Sequence, residues 1–204
     1  MPSPEEIVRH HEWQPPDGED IWVDGPPEPA PIVIVEYDPS WPEIYESVAE
    51  RVRDALGARV LALDHVGSTA VPGLAAKPVI DVDLTVTDSA DEPAFVPALE
   101  AAGFRLTIRE PGWHEHRLLT GDDPSVHVHV FSPDCPETIR HRMYRDWLRE
   151  HPDDAERYVE AKVVAAAATN ASAPSPTAGM DYNLRKQAVI REIYGRMFEA
   201  HGLI

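Results

Sequence analysis

His65-Val-Gly-Ser-Thr-Ala-Val-Pro-Gly-Leu-Ala-Ala-Lys-Pro-Val-Ile-Asp-Val-Asp-Leu-Thr-Val86 is the stretch whose reading decides the fold. It reads as the end of one strand, a Gly-Ser-Thr turn, a loop of small residues and a second strand that carries Asp81 and Asp83. Side chains alternate faces along a strand, so Ile80, Val82, Leu84 and Val86 point one way while Asp81, Asp83 and Thr85 point the other. Two carboxylates therefore share a face. Burying such a pair unpartnered is very unfavourable, so the pair calls for a cation or an open cleft.

Working outward toward the N-terminus, residues 59–66 form the strand that enters this stretch. Before it, Ser40-Trp41-Pro42-Glu43 predicts a capping box with proline early in a helix. Trp41, Ile44, Val48, Val52 and Ala55 continue that helix at 3.6-residue spacing to Gly57. Residues 32–36 are predicted to be a short strand. Residues 1–31 are rich in proline and acids and predict an extended arm. Trp13 and Trp22 are unusual in such a tail, and either pin it to the domain or meet a neighbouring subunit.

Toward the C-terminus an acidic turn precedes a helix over residues 93–102, and strands are expected at 104–109, 116–119 and 125–131. The last alternates cleanly, with Val126, Val128 and Val130 on one face and His127, His129 and Phe131 on the other. Helices are expected over 137–151, 153 to about 169, and 180–201, with a low-complexity loop at 170–179. The sum is a single α/β (α+β) domain with a mixed sheet, over residues 32–204, behind the arm.

A chain of 204 residues supports one core rather than two. Its formal charge of −18 opposes a nucleic-acid partner, because phosphate contacts come from Lys and Arg. The single cysteine, Cys135, excludes an internal disulfide framework and fits a reducing compartment. The absence of a membrane-length apolar run or a leader pattern adds to a cytoplasmic expectation.

Several pieces in order resemble the GrpB family, of the UPF0157 type: Glu36-Tyr37-Asp38-Pro39-Ser40-Trp41-Pro42, residues 65–74 with Lys77-Pro78 and Asp81-Val82-Asp83, His127-Val128-His129-Val130, Arg145-Asp146-Trp147-Leu148-Arg149, and Tyr182 with Lys186. The resemblance covers roughly residues 32 to 200. It implies a nucleotidyltransferase-like fold with C-terminal helices. In that superfamily a Gly-Ser turn before an Asp-x-Asp strand marks transfer of a nucleotidyl group, with Gly67 and Ser68 holding the triphosphate.

The residues fit such chemistry. Asp81 and Asp83 offer oxygen ligands for Mg²⁺ (or Mn²⁺). Gly67 admits a phosphate close to the backbone, and Ser68 and Thr69 add donors. Lys77, Lys162 and Lys186 are further phosphate candidates, as are Arg142, Arg145 and Arg149 along one side of a helix. A nucleoside triphosphate is then the substrate, with a small molecule or a protein as acceptor. The resemblance also implies a third carboxylate on a neighbouring strand; the strand expected beside Asp81 and Asp83 carries His127 and His129 instead. His129 reads as a general base or, with His127, as part of the metal site. Two rivals stay open: a nucleotide-binding module without turnover, and a metallohydrolase built on His114, His116, His127 and His129.

Overall fold

The structure, a computed structural model, describes residues 1–11, 13–16 and 20–204. Residues 12 and 17–19 of the expected arm lie outside the described residues. The strands are β1 (Ala62–Val66), β2 (Ile80–Thr85), β3 (Arg105–Glu110), β4 (His116–Asp122) and β5 (Ser125–Phe131). They form one sheet in the order β1-β2-β5-β4-β3, in which β2 and β5 run parallel and every other neighbour is antiparallel. The helices are α1 (Pro4–Val8), α2 (Trp41–Leu56), α3 (Val96–Ala101), α4 (Pro136–Glu150), α5 (Pro152–Asn170) and α6 (Ala178–Ala200). No helix among the described residues is long and apolar enough to cross a membrane.

The two-residue period of β2 and β5 sorts the sheet's faces. Ile80, Val82, Leu84, Val126, Val128 and Val130 are buried against Val48, Val52 and Leu56 of α2 and Leu99 of α3. Fully burying a valine contributes roughly 1.5–3 kcal/mol, so a one-residue slip that put Asp81 and Asp83 into this layer is strongly disfavoured. The opposite face holds the polar residues. Beyond it a second apolar cluster joins Ile7, Trp147, Leu148, Tyr158, Ile193 and Met197 of α1, α4, α5 and α6 with Val71 and Leu74 of the connection between β1 and β2. The polar face of the sheet thus lies on the side of the C-terminal helices.

Several local expectations are corrected. Ser40 sits in the helical region (φ −80°, ψ −15°) and makes no cap bond. Its amide and hydroxyl donate instead to Asp38 Oδ1 (2.8 and 2.7 Å), a nearer acceptor. The run 32–36 does not join the sheet. Asn170 clamps both backbone groups of Ile32 (2.8 Å each) and only Val35 bridges, to Ala76. The helix expected over 93–102 divides into a 3₁₀ turn, Glu92–Ala94, and α3, because Phe95 leaves helical geometry between Pro93 and Pro97.

The N-terminal segment is tied down. Ser3 and Glu6 cap α1 reciprocally, and Ile7 is buried in the helical cluster. Arg140, 1% exposed, donates to the carbonyl oxygens of Ile7 (2.7 Å) and Arg9 (2.5 Å). Further on, Val23 N donates to Thr107 O and Arg109 N to Ile21 O, so Trp22 bridges the outer edge of β3.

Candidate metal and phosphate site

Parallel pairing of β2 with β5 sets Asp81 beside His127 and Asp83 beside His129. His127 Nδ1 lies 3.3 Å from Asp81 Oδ1 and His129 Nε2 3.7 Å from it. One donor atom from each of the three falls within 4.8 Å of the others, a set able to hold a metal ion. Burial pushes the Asp81 carboxyl up, but hydrogen bonding and charge from the two histidines outweigh it and leave its pKa far below the usual carboxylate range.

A chain of hydrogen bonds orients His129. Its Nδ1 is 3.0 Å from His116 Nε2, and His116 Nδ1 is 2.7 Å from Glu110 Oε2. With Glu110 ionised and both rings neutral, His116 donates to it and His129 Nδ1–H donates to His116, which leaves His129 Nε2 beside Asp81 to take up a proton or a metal ion. A proton or a metal ion satisfies both groups there, and an imidazole whose other nitrogen donates to a fixed partner is the arrangement metal-bound histidines adopt. Burial holds His116 well below the ordinary histidine pKa. Burial raises Glu110, although the charge of His129 opposes it.

Asp83 is placed differently from its sequence neighbour. It is 1% exposed and both its oxygens accept from Nδ1 of His141 on α4 (3.1 and 2.9 Å). Burial lowers the His141 pKa, while the charge and hydrogen bond of Asp83 raise it further, so the balance is upward. Asp83 thus orients a histidine, and both other donors beside Asp81 come from β5.

The Gly67–Ala70 turn borders this group. Gly67 has φ +68°, and a Cβ there would stand 3.0 Å from the Asp81 Cβ and closer still to its Oδ2, so the backbone reaches the carboxylate only without a side chain. Thr69 is buried, bonded to His65 Nε2 (3.1 Å) and to Val79 O (3.2 Å), so its hydroxyl is spent inside the turn. Ser68 Oγ accepts from Lys162 Nζ at 3.2 Å, and Lys162 also donates to Ala75 O.

Lys162 is 1% exposed, and burial followed by the charge of Lys186 pushes its pKa down to about 7. Its Nζ lies 4.6 Å from the Tyr158 ring centroid, while Lys186 Nζ lies 4.4 Å from that of Tyr182 and Lys77 Nζ 6.0 Å from the same ring. Burial lowers Lys77 against the charge of Asp81. Three ammonium groups thus gather around two tyrosines beside Ser68.

The three arginines are engaged by the protein itself. Arg142 pairs with Asp64 (3.1 Å), Arg145 donates to His65 O (2.9 Å) and Arg149 to Ala70 O (2.7 Å); Arg145 and Arg149 also pair with Asp146. They bolt α4 to both ends of the Gly67–Ala70 turn. Of the second histidine pair, His116 joins the site, whereas His114 turns toward Glu137, 3.8 Å away. Cys135 is buried at the start of α4, its thiol pushed up to about 11 by burial. Sequence reasoning missed His141, whose only sequence signal is its position one helical turn after Glu137.

The chain matches the family described as GrpB protein over residues 31–196. It belongs to the GrpB family. A UPF0157 protein of Halalkalibacterium halodurans is 49% identical over 136 residues, covering 67% of this chain and 70% of that protein. One from Pseudomonas aeruginosa is 36% identical over 174 residues, 83% and 69% of the respective chains. A Mycolicibacterium paratuberculosis protein named dephospho-CoA kinase is 33% identical over 160 residues, which span 65% of this chain but only 39% of that longer protein. The crystal structure of a conserved GrpB protein from Enterococcus faecalis superposes with a TM-score of 0.71 at 30% identity, covering 83% of this chain and 99% of that one. The GrpB match leaves the first thirty residues outside it.

Proposed function

We propose that this GrpB protein is a divalent-metal-dependent nucleotidyltransferase acting on a hydroxyl of a small molecule or a protein. The observation that carries the reading is the convergence of Asp81, His127 and His129 beside a Gly-Ser turn surrounded by Lys77, Lys162 and Lys186. One carboxylate with two imidazoles suits a first-row transition ion, so of the pair Mg²⁺ and Mn²⁺ the set favours Mn²⁺. When bound, the ion would neutralise charge on phosphate oxygens during in-line displacement.

The remaining work falls to the chain. Ser68 and the three lysines bind the phosphates, and Gly67 lets them lie against the backbone. His141, held through Nδ1 by Asp83, is left with Nε2 for a proton. It accepts the proton of the acceptor hydroxyl as that oxygen bonds to the α-phosphorus, while the bond to pyrophosphate breaks and pyrophosphate leaves with its charge on the lysines. His141 thereby occupies the role a third carboxylate fills elsewhere in the superfamily. A matching stretch within a protein named a kinase is in keeping with a phosphate-bearing ligand.

Calorimetric titration of ATP with Mn²⁺ checks the reading. Wild type should bind, and Asp81→Asn should lose on the order of 100-fold in Mn²⁺ affinity, by comparison with the 10- to 100-fold cost of even outer-shell changes. Absence of nucleotide binding in both proteins would overturn the proposal. Binding with no labelled product across a broad acceptor screen would favour the module without turnover.

A further inference from the structure

A cleft of about 300 Å³ opens between the N-terminal segment, the loop before β4 and α6. Its walls include His10 and His11 from the segment, Trp113 from the loop, and Lys186, Gln187 and Tyr194 from α6. None of these residues belongs to the metal set or, Lys186 apart, to the phosphate cradle.

Two contacts connect the cleft to the site. Trp113 meets His116 edge-on with ring centroids 5.1 Å apart, and His116 is the residue hydrogen-bonded to His129. At the other end Lys186 belongs both to the cleft wall and to the lysine group around Tyr182, whose member Lys162 reaches Ser68. A ligand with its phosphates on the lysines therefore has an aromatic-walled space next to its phosphate-bearing end. Planar π-systems bind such walls by stacking, about equally for every base. The cleft also offers polar groups for a base edge: Gln187 on its wall, and nearby His114 Nε2, buried and without a hydrogen-bond partner among the described residues, 3.8 Å from Glu137.

We propose that this cleft seats the planar base of the nucleotide whose phosphates lie on Lys77, Lys162 and Lys186; the inference rests on the nucleotide reading given above. The wall formed by His10 and His11 lies outside the segment that matches the GrpB family, so the chain adds its own side to the base site. The His10 ring stands 5.4 Å from Tyr194, and α1 is held in place through Arg140. The exposed arm is thereby positioned as one wall.

The test compares ATP with inorganic tripolyphosphate, each titrated with Mn²⁺ into the full chain. Wild type should bind ATP more tightly than tripolyphosphate. Trp113→Ala should weaken ATP by about tenfold or more while leaving tripolyphosphate unchanged, in line with the loss of one base-stacking contact. His10→Ala, on the exposed arm, should weaken ATP alone by a smaller factor, and Trp113→Phe should retain most of the affinity; both remain informative if Trp113→Ala fails to fold. Equal binding of the two ligands by wild type, or equal losses in the variants, overturns the base site while the phosphate reading stands. Failure of wild type to bind either ligand overturns both.

Discussion

Gly67 stands at φ +68° and ψ −168°, a region in which residues other than glycine are strained, and its α-carbon faces Asp81. Both conditions come from one need: the turn must reverse while its backbone stays close to the carboxylate. Gly67→Ala is expected to lower stability by about 1–3 kcal/mol from the backbone alone. The side chain would also push Asp81 away from His127 and His129. Urea unfolding should show the stability loss, and Mn²⁺ titration should show weakened binding. An unchanged midpoint with full Mn²⁺ affinity would remove Gly67 from the site. That a glycine belongs here was legible in the Gly-Ser-Thr turn. That Asp83 would part company with Asp81 was not, because its partner His141 lies on a helix 58 residues further along.

Helix α4 was legible as an element, while the partners of its arginines were not. Its arginines were visible as a basic stripe, and such a stripe equally suits a phosphate or a set of carbonyl oxygens. Arg145 and Arg149 meet the carbonyls of His65 and Ala70, so α4 fastens the turn. Arg140 was not singled out by the sequence, yet it is among the largest fully buried side chains. It pairs with Glu137 and holds the backbone that follows α1. Arg140→Ala would leave Glu137 as a buried charge without this partner and is expected to cost about 3–5 kcal/mol. Limited proteolysis should then cleave within the first eleven residues faster than in wild type, and a thermal melt should report the lost stability. Equal cleavage rates would show that Arg140 does not hold α1.

Over the whole molecule the acidic surface surrounds a small basic interior, and pH should expose it. Burial and Lys186 bring the Lys162 pKa down from 10.5 to about 7, so between these values the unfolded chain binds the extra proton. Stability from this group therefore rises with pH from about 7 to about 10.5, and below 7 the buried ammonium is penalised in full. Lys162→Met should flatten that rise in urea midpoints taken across the window. A bound anion favours the charged ammonium, so tripolyphosphate binding at pH 8 should take up a proton in wild type and not in Lys162→Met, as calorimetry in two buffers of different ionisation enthalpy would register. His65 acts at the acid end. Burial lowers it to about 4 from 6.5, against the charge of Asp81, so its contribution is lost as pH falls through that interval.

The sequence by itself determined the alternation of β2 and β5, the Gly-Ser-Thr turn, the helices that follow and the family resemblance, because each is written in a period or motif spanning a few neighbouring residues. The strand bearing His127 and His129 was expected beside the aspartates. Only the tertiary structure decided the parallel register that sets Asp81 against His127 and Asp83 against His129, the crossing of α4 that gave Asp83 to His141, and the packing of α5 and α6 that gathered the lysines at the turn. These meetings depend on distances between elements far apart in the chain, and those distances are set by how the apolar layers close on either side of the sheet. The extended arm was legible as composition, yet its docking through Ile7 and Arg140 follows from a buried guanidinium that needed carbonyl oxygens, a requirement that exists only once α4 is folded against the sheet.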